Sequence, residues 1–215
     1  MAQRLIHYLF GEIFAKYIEF KDKKRFLLGT VLPDAYTNRN DRDRTHYTVK
    51  TESQVYFDFG LFKEQHCDFI LNDDLYLGYY MHLMEDNFYR QFVYNQRFTM
   101  PRTQDEVAIL HEDYHILNSY IVGKYHLQNE LDCCLDLSQE SVMHIADFNV
   151  NEFLREMSSD FTENREGNAH FLTADMLEEF IDKYIPIGLK ELHNIENKTF
   201  VLQAVDFAWE TNRTK

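Results

Sequence analysis

The fold is decided by the stretch at residues 75–96, which reads LYLGYYMHLMEDNFYRQFVYNQ. Apolar and aromatic side chains occupy nearly every side of a helix drawn through this stretch, which is typical of a helix that is buried all round. Asn72, Asp73 and Asp74 precede it, and short polar side chains of this kind cap the first turn of a helix. The sequence therefore predicts that residues 75–96 form the central helix of the protein.

The composition favours helices around this centre. The chain has 215 residues, with only 7 Gly and 3 Pro. So few chain breakers mean few tight turns, which disfavours a many-stranded fold. Because the length suits one sizeable hydrophobic core, we expect a single all-α domain over residues 1–215.

Apolar residues that recur in steps of three and four predict further helices. Their predicted ranges are residues 3–20, 23–32, 57–71 and 105–126, and a helix that follows Ser138 and Ser141 and ends near 157. Thr173 is expected to begin a last pair of helices, bent near Pro186. Residues 200–209 are expected to form a short helix, residues 36–52 an ordered polar loop, and residues 99–103 a loop that holds Pro101. No stretch shows the period-two alternation of a strand.

Charge and cysteine content limit the partners and the compartment. The formal net charge is −14, which repels nucleic-acid phosphates and favours a metal cation, so nucleic acid is not expected as the main partner. Cys67, Cys133 and Cys134 form no CxxC pair and are an odd number, which is typical of reduced thiols. Without a signal peptide or a bilayer-length apolar run, we expect a cytoplasmic protein and no stable membrane insertion.

His82 and Asp86 lie four residues apart, so both project from one face of the central helix. Their neighbours are apolar, and a carboxylate buried among them needs a hydrogen-bonding partner or a cation. Two interpretations follow from this pair alone. It either ligates a metal ion or forms an internal hydrogen bond.

Asp34 and His46 extend the pair to a possible ligand set. Pro33 fixes the backbone before Asp34 and so gives that carboxylate a defined direction, and His46 stands at the end of the polar loop. Two His and two Asp make an oxygen–nitrogen set that zinc accepts, as do manganese and iron. The sequence therefore predicts a divalent metal site.

The order of these motifs resembles that of the zinc-dependent phospholipase C family, whose superfamily includes the P1-type nucleases. The resemblance covers roughly the first half of the chain and rests on ordered spacing. It implies an all-α fold with a cluster of three metal ions. The elements that carry it are His7 in the first helix, Gly29-x-x-x-Pro33-Asp34, Thr45-His46-Tyr47, and Leu77-Gly78-Tyr79-Tyr80-Met81-His82-x-x-x-Asp86.

The resemblance implies roles for individual residues. Asp86 would bridge two ions. The first is the ion that Asp34, His46 and His82 would also hold, and the second is one that His7 would also bind. In the family an N-terminal Trp completes that second site, whereas this chain begins Met1-Ala2-Gln3. His7 therefore keeps an alternative interpretation as a packed histidine. The first ion would be held by Asp34, His46, His82 and Asp86.

The third ion of the family requires a His soon after the central pair and a His-x-x-x-acid motif on a later helix. No His lies between Asp86 and residue 110 here. His111 and His115 stand one helical turn apart and are the predicted ligands, with His115 where the family has the acid. Solvent-facing histidines are the alternative interpretation. The pair His144 and Asp147 is a competing candidate.

The predicted function is metal-dependent hydrolysis of a small phosphate ester, either a diester or a monoester. Asp34 or Asp86 would orient or deprotonate the attacking water. The arginines of the polar loop, at positions 39, 42 and 44, either hold a phosphate or are solvated. Two other hypotheses stay open: a catalytically degenerate metal-binding protein that acts as a binding or regulatory module, and a metal-free helical scaffold. The cost of burying two Asp disfavours the scaffold. The sequence leaves the oligomeric state undetermined.

Overall fold

The computed structural model describes residues 3–93, 103–131 and 136–210. These residues are mostly helical, in agreement with the all-α class that the sequence predicts. The specific phospholipase C-like fold stays a prediction. No helix in the described ranges combines the length and the hydropathy needed to cross a bilayer. The α-helices are α1 Arg4–Phe14, α2 Lys23–Val31, α3 Arg42–Thr45, α4 Phe59–Ile70, α5 Asp74–Phe92, α6 Gln104–Tyr125, α7 Val150–Asp160 and α8 Ala174–Glu196.

Helix α5 lies at the centre of the fold, as the sequence predicts. It contacts α1, α2, α4 and α8, and buried side chains occur on all of its sides. Asp73 caps its first turn, because its carboxylate accepts the Leu75 N–H at 2.9 Å. The helix is described as far as Phe92, and predicted helical residues 94–96 lie outside the described ranges.

Two glycines let α2 and α5 pack backbone against backbone. A Cβ atom on Gly29 would stand 2.2 Å from the carbonyl oxygen of Leu75, and one on Gly78 would stand 2.2 Å from that of Phe26. No side chain fits at either position, because such distances lie far inside van der Waals contact. This close approach holds α2, which leads into the 3₁₀ turn with Asp34, against α5, which carries His82.

A small sheet corrects the expectation that the chain contains no strand. Its antiparallel strands are β1 Thr48–Lys50, β2 Gln54–Phe57 and β3 Trp209–Glu210, with β2 in the middle. Strands of two to four residues are too short to show alternation, and β3 comes from the far end of the chain. Asn87 of α5 fastens β2, since its amide group makes hydrogen bonds of 2.7 and 2.6 Å with the backbone N–H and C=O of Phe57.

Several predicted boundaries are also wrong. Helix α8 is one helix rather than a bent pair. Pro186 is exposed, so solvent reaches the carbonyl that its missing N–H leaves unpaired. Helix α7 begins only at Val150, after a 3₁₀ turn at Ser141–His144. The tail forms a 3₁₀ turn at Ala204–Phe207 followed by β3, and the loop predicted around Pro101 lies largely outside the described residues.

Candidate metal centre

Five of the seven predicted ligands converge in the interior of the helical core. The imidazoles and the Asp86 carboxylate are fully buried, and only the Asp34 side chain reaches solvent, with 8% of it exposed. The ligands come from four different elements. They are His7 from α1, Asp34 from the 3₁₀ turn Leu32–Asp34, His46 from the end of α3, and His82 and Asp86 from α5.

The distances between these side chains are equal to or a few tenths of an ångström longer than those between two ligands of one ion. The Nε2 atom of His46 lies 3.3 Å from Asp34 Oδ1 and 3.7 Å from Asp86 Oδ2. His7 Nε2 lies 3.8 Å from Asp34 Oδ2 and 3.8 Å from Asp86 Oδ1. Two ligands about 2.0–2.2 Å from one tetrahedral ion are roughly 3.3–3.6 Å apart. Each carboxylate therefore turns one oxygen towards His46 and the other towards His7.

All three histidines have their Nδ1 atom next to an oxygen acceptor. Nδ1 of His82 lies 2.8 Å from the carbonyl oxygen of Thr30, and Nδ1 of His46 lies 3.1 Å from that of Arg42. Nδ1 of His7 lies 3.0 Å from Glu85 Oε2. Carbonyl oxygens accept and never donate, so the neutral His82 ring carries its proton on Nδ1 and a lone pair on Nε2. His46 Nδ1 also lies 2.9 Å from the Thr45 hydroxyl, which can donate as well as accept.

The Nε2 atoms of His46 and His82 face each other. Their Nε2 atoms lie only 3.3 Å apart. When both Nδ1 atoms carry the proton, two neutral imidazoles point lone pair at lone pair at this distance, whereas the other tautomer of His46 donates its Nε2–H to His82. A shared proton or a metal ion removes the repulsion, and buried histidines with oriented Nε2 atoms are the usual ligands of zinc.

Local sequence explains how the backbone acceptors become available. Pro33 lacks an N–H and α2 ends before it, so carbonyl groups in the last turn, including that of Thr30, lose their helical donors. At the end of α3, next to His46, the Thr45 carbonyl accepts a hydrogen bond of 2.7 Å from the Tyr79 hydroxyl of α5. This bond holds the end of α3 against α5. Tyr47 then adopts a φ of 51°, and this left-handed residue turns the chain from His46 into β1.

The pKa values of the residues in the cluster are shifted in opposite directions. Burial alone would lower the pKa of His7, but the neighbouring carboxylates, above all that of Glu85, raise it to about 9. Burial and the positive charge of its two histidine neighbours lower the pKa of His82 to about 3. Burial would raise the pKa of Asp34, but the surrounding histidines bring it below its ordinary value. These opposite shifts mean that the carboxylates stabilise positive charge on His7 in the interior of the protein.

The residues present fit a divalent ion. His7 Nε2 and Asp34 Oδ1 are buried and make no hydrogen bond, which is costly unless another group satisfies them. Among the described residues, two sets of three side chains have all their ligand atoms within 4.8 Å of one another. His82 belongs to both sets. They are His7, Asp34 and His82, and His46, His82 and Asp86.

A surface pocket of about 330 Å³ opens beside Asp34. Arg4 and Glu156 also line it, and the Arg4 guanidinium pairs with Asp160 and contacts Glu156 at 3.5 Å. The remaining lining residues include Tyr36 and Phe153. Asp34 is the only predicted ligand among these lining residues, and 8% of its side chain is exposed.

His111 and His115 lie away from this cluster, on the outer part of α6. His111 is exposed, and His115 Nδ1 makes a 2.7 Å contact with Glu163 Oε1 while 42% of its side chain is exposed. Neither belongs to a set of potential ligands among the described residues. The competing candidates His144 and Asp147 are both exposed.

The sequence did not single out Glu85, although the structure places it beside His7. Its side chain is buried, and the signal that marks it is an acidic residue on a helix whose neighbours are apolar. Two of the three loop arginines contact side chains that are not part of the cluster. Arg44 pairs with Asp41 at 3.1 Å, and Arg42 lies over the Phe57 ring at 5.5 Å.

Comparison of the chain with protein-family models, curated proteins and solved structures finds no match. The resemblance to the zinc-dependent phospholipases C therefore stays a hypothesis that rests on the order of the motifs.

Proposed function

We propose that the protein is a metal-dependent hydrolase of phosphate esters. The observation that carries the proposal is the 3.3 Å approach of the His46 and His82 Nε2 atoms, whose Nδ1 atoms are both engaged by backbone carbonyls. Two neutral rings that both keep the proton on Nδ1 would need a cation between them. Zinc is the preferred ion for an oxygen–nitrogen set of this kind, with manganese and iron as alternatives.

The arrangement of the carboxylates supports two ions rather than one. Since each of Asp34 and Asp86 faces His46 with one oxygen and His7 with the other, both are suited to bridge neighbouring cations. His46 and His82 would hold one ion and His7 the other. This arrangement uses five of the predicted ligands and leaves His111 and His115 outside it.

A bound divalent ion supplies Lewis acidity, which makes water acidic near neutral pH and offsets negative charge on a phosphate ester. The chain itself supplies orientation. Asp34 lines the solvent pocket, whereas Asp86 is fully buried, so Asp34 is the carboxylate that would meet the attacking water. Its lowered pKa suits it to accept a hydrogen bond from that water and orient it.

The pocket suggests a small substrate. A volume of about 330 Å³ lies at the lower end of the range of small-molecule sites. The Arg4 guanidinium in this pocket is already paired with acidic side chains, so charge recognition of the phosphate would fall to the ions. A phosphodiester or phosphomonoester of a small alcohol is therefore the proposed substrate class.

A second candidate function is a binding or regulatory module with a structural metal. The full burial of four of the five ligands favours it, because ions in structural sites are closed off from solvent. The exposed edge of Asp34 favours the hydrolase. Activity that depends on the metal distinguishes the two functions.

The first experiment is elemental analysis of protein purified without chelator or affinity metal, followed by zinc titration after chelator treatment. We expect two ions per chain. One ion would support the module with a structural metal. Protein that takes up neither zinc nor manganese would contradict both functions.

The second experiment measures hydrolysis of bis(p-nitrophenyl) phosphate and p-nitrophenyl phosphate before chelation, after chelation and after zinc is returned. We expect activity that chelation abolishes and zinc restores. Asp34→Asn should lower it at least 100-fold, because the substitution removes a charged ligand and the residue that meets water. Asp43→Asn is the matched control, since this carboxylate in the same part of the chain pairs with exposed Lys50. A metal-loaded protein without activity on either ester would overturn the hydrolase and leave the module.

A further inference from the structure

Glu85 is a buried carboxylate that none of the predicted roles uses. It lies on α5 between His82 and Asp86 and is 2% exposed. Its Oε2 atom lies 3.0 Å from His7 Nδ1, and its Oε1 atom is buried without a hydrogen bond. Burying a third carboxylate beside Asp34 and Asp86 is unfavourable, so its presence requires an explanation.

The geometry of His7 supplies that explanation. A ring that donates from Nδ1 to a carboxylate presents its Nε2 lone pair in a fixed direction. Here that direction leads to Asp34 and Asp86, whose oxygens lie 3.8 Å from His7 Nε2. A carboxylate partner also makes the opposite nitrogen a stronger donor to a metal.

His7 differs in this respect from the other two histidines. Nδ1 of His82 meets a neutral backbone carbonyl, and Nδ1 of His46 meets a backbone carbonyl and the Thr45 hydroxyl, whereas Nδ1 of His7 meets the carboxyl group of Glu85.

We propose that Glu85 is a positioning residue that fixes the Nδ1–H tautomer of His7 and strengthens the ion site on the His7 side. This inference rests on the proposed metal centre. Glu85 acts through His7 and not as a ligand of its own. Its negative charge also offsets part of the charge of two divalent cations in the interior.

The test is a double-mutant cycle on zinc affinity, measured by competition with a chromogenic chelator. Glu85→Gln keeps an acceptor for His7 Nδ1 and removes the charge. We expect it to weaken the ion on the His7 side by about 10–100-fold and to leave the other ion unchanged. His7→Ala should remove one ion per chain. In the His7→Ala background, Glu85→Gln should have no further effect on zinc affinity, because the two residues act as one unit.

Glu191→Gln is the matched control. Glu191 is 1% exposed on α8 and accepts the Tyr80 hydroxyl at 2.9 Å, so the substitution also removes a buried carboxylate charge, but outside the cluster. We expect it to change the melting temperature without changing zinc affinity. Nitrogen-15 NMR of the wild-type histidines adds a readout that needs no variant, and it should show His7 with Nδ1 protonated and Nε2 bound to the metal.

The outcomes separate this inference from the proposed function. Wild-type protein that binds no zinc overturns the metal centre and the role of Glu85 with it. Wild-type protein that binds two ions, together with a Glu85→Gln variant of unchanged affinity, overturns the role of Glu85 alone. A Glu85→Gln effect that persists without His7 also overturns it and identifies Glu85 as a direct ligand. If the variant does not fold, an Nε2–H tautomer of His7 in the wild type overturns the proposal.

Discussion

Two helices carry a pair of potential ligands at the same spacing and place them in opposite environments. His82 and Asp86 on α5 are fully buried and meet ligands from three other elements. His111 and His115 on α6 face outward, and His115 pairs with Glu163 at the surface. A four-residue spacing places two side chains on one face of a helix. The elements that pack against that face determine whether they form a site.

The contrast extends to the polar residue between each pair. Glu85 lies beside His82 and Asp86 and serves His7. Asp113 lies between His111 and His115 and is also buried, but it accepts three backbone N–H groups, from His170, Phe171 and Leu172, at 2.6–3.1 Å. One buried carboxylate supports the candidate centre, and the other fastens a loop.

The largest effect on zinc binding should come from breaking the α5 pair. His82→Ala removes the imidazole shared by both sets of ligands, so we expect loss of at least one ion per chain. At zinc concentrations near 100 times the dissociation constant, zinc should stabilise the wild type by about 2.7 kcal/mol, and the variant should lose most of that increment. Elemental analysis and melting curves with and without zinc test this.

His115→Ala is the matched control on α6. It removes a partly exposed histidine and its contact with Glu163, so the stability should fall by about 1 kcal/mol or less and the zinc content should not change. Zinc loss in this variant together with full retention in His82→Ala would reverse the assignment of the two helices.

The next effect should come from separating α2 and α5. Gly29→Ala places a Cβ atom 2.2 Å from the Leu75 carbonyl oxygen, so the helices must move apart. We expect a loss of about 3 kcal/mol in the free energy of unfolding, and weaker zinc binding because Asp34 and the Thr30 carbonyl move with α2. Urea denaturation and zinc titration measure the two effects.

Gly123→Ala on α6 provides the comparison for that substitution. No atom outside its own helix neighbourhood lies within 4 Å of the added Cβ, so alanine should stabilise α6 by about 0.5–1 kcal/mol through its higher helix propensity. Equal destabilisation by both substitutions would contradict the close packing of α2 on α5.

The smallest of the three effects should come from Asp113→Ala. The substitution leaves three backbone N–H groups without their carboxylate acceptor, and we expect it to cost about 2 kcal/mol. Because this carboxylate serves a loop, zinc content should stay at the wild-type value in elemental analysis. Loss of zinc from this variant would place α6 within the metal centre after all.

The sequence predicted the parts of the fold that depend on long periodic patterns. The buried nature of α5 and the caps before it are visible in residues 72–96, because a helix surrounded by core must be apolar on every side. The sheet could not be predicted in this way. Strand β3 of two residues pairs with β2 from more than 150 positions away, and no local pattern encodes such a contact. The continuity of α8 through Pro186 likewise depends on that residue facing solvent.

The candidate site likewise combines residues that the sequence predicted with contacts that it could not predict. Residue type and order brought His7, Asp34, His46, His82 and Asp86 to attention, and the structure places all five together. The same reasoning gave His111 and His115 equal chemical standing, because spacing alone contains no information about what covers a helix face. Glu85 was missed because its significance lies in a contact with α1, 78 residues away.

By itself, the sequence determined which side chains have metal-binding chemistry and which helix is buried on all sides, because both follow from residue type and local period. Only the tertiary structure decided which of those side chains share a point in space and which nitrogen each histidine presents. The physical reason is that the partners of each Nδ1 atom come from packing: the Thr30 carbonyl for His82, the Glu85 carboxyl group for His7, and the Arg42 carbonyl with the Thr45 hydroxyl for His46. These acceptors reach the rings through the packing of α1, α2, α3 and α5.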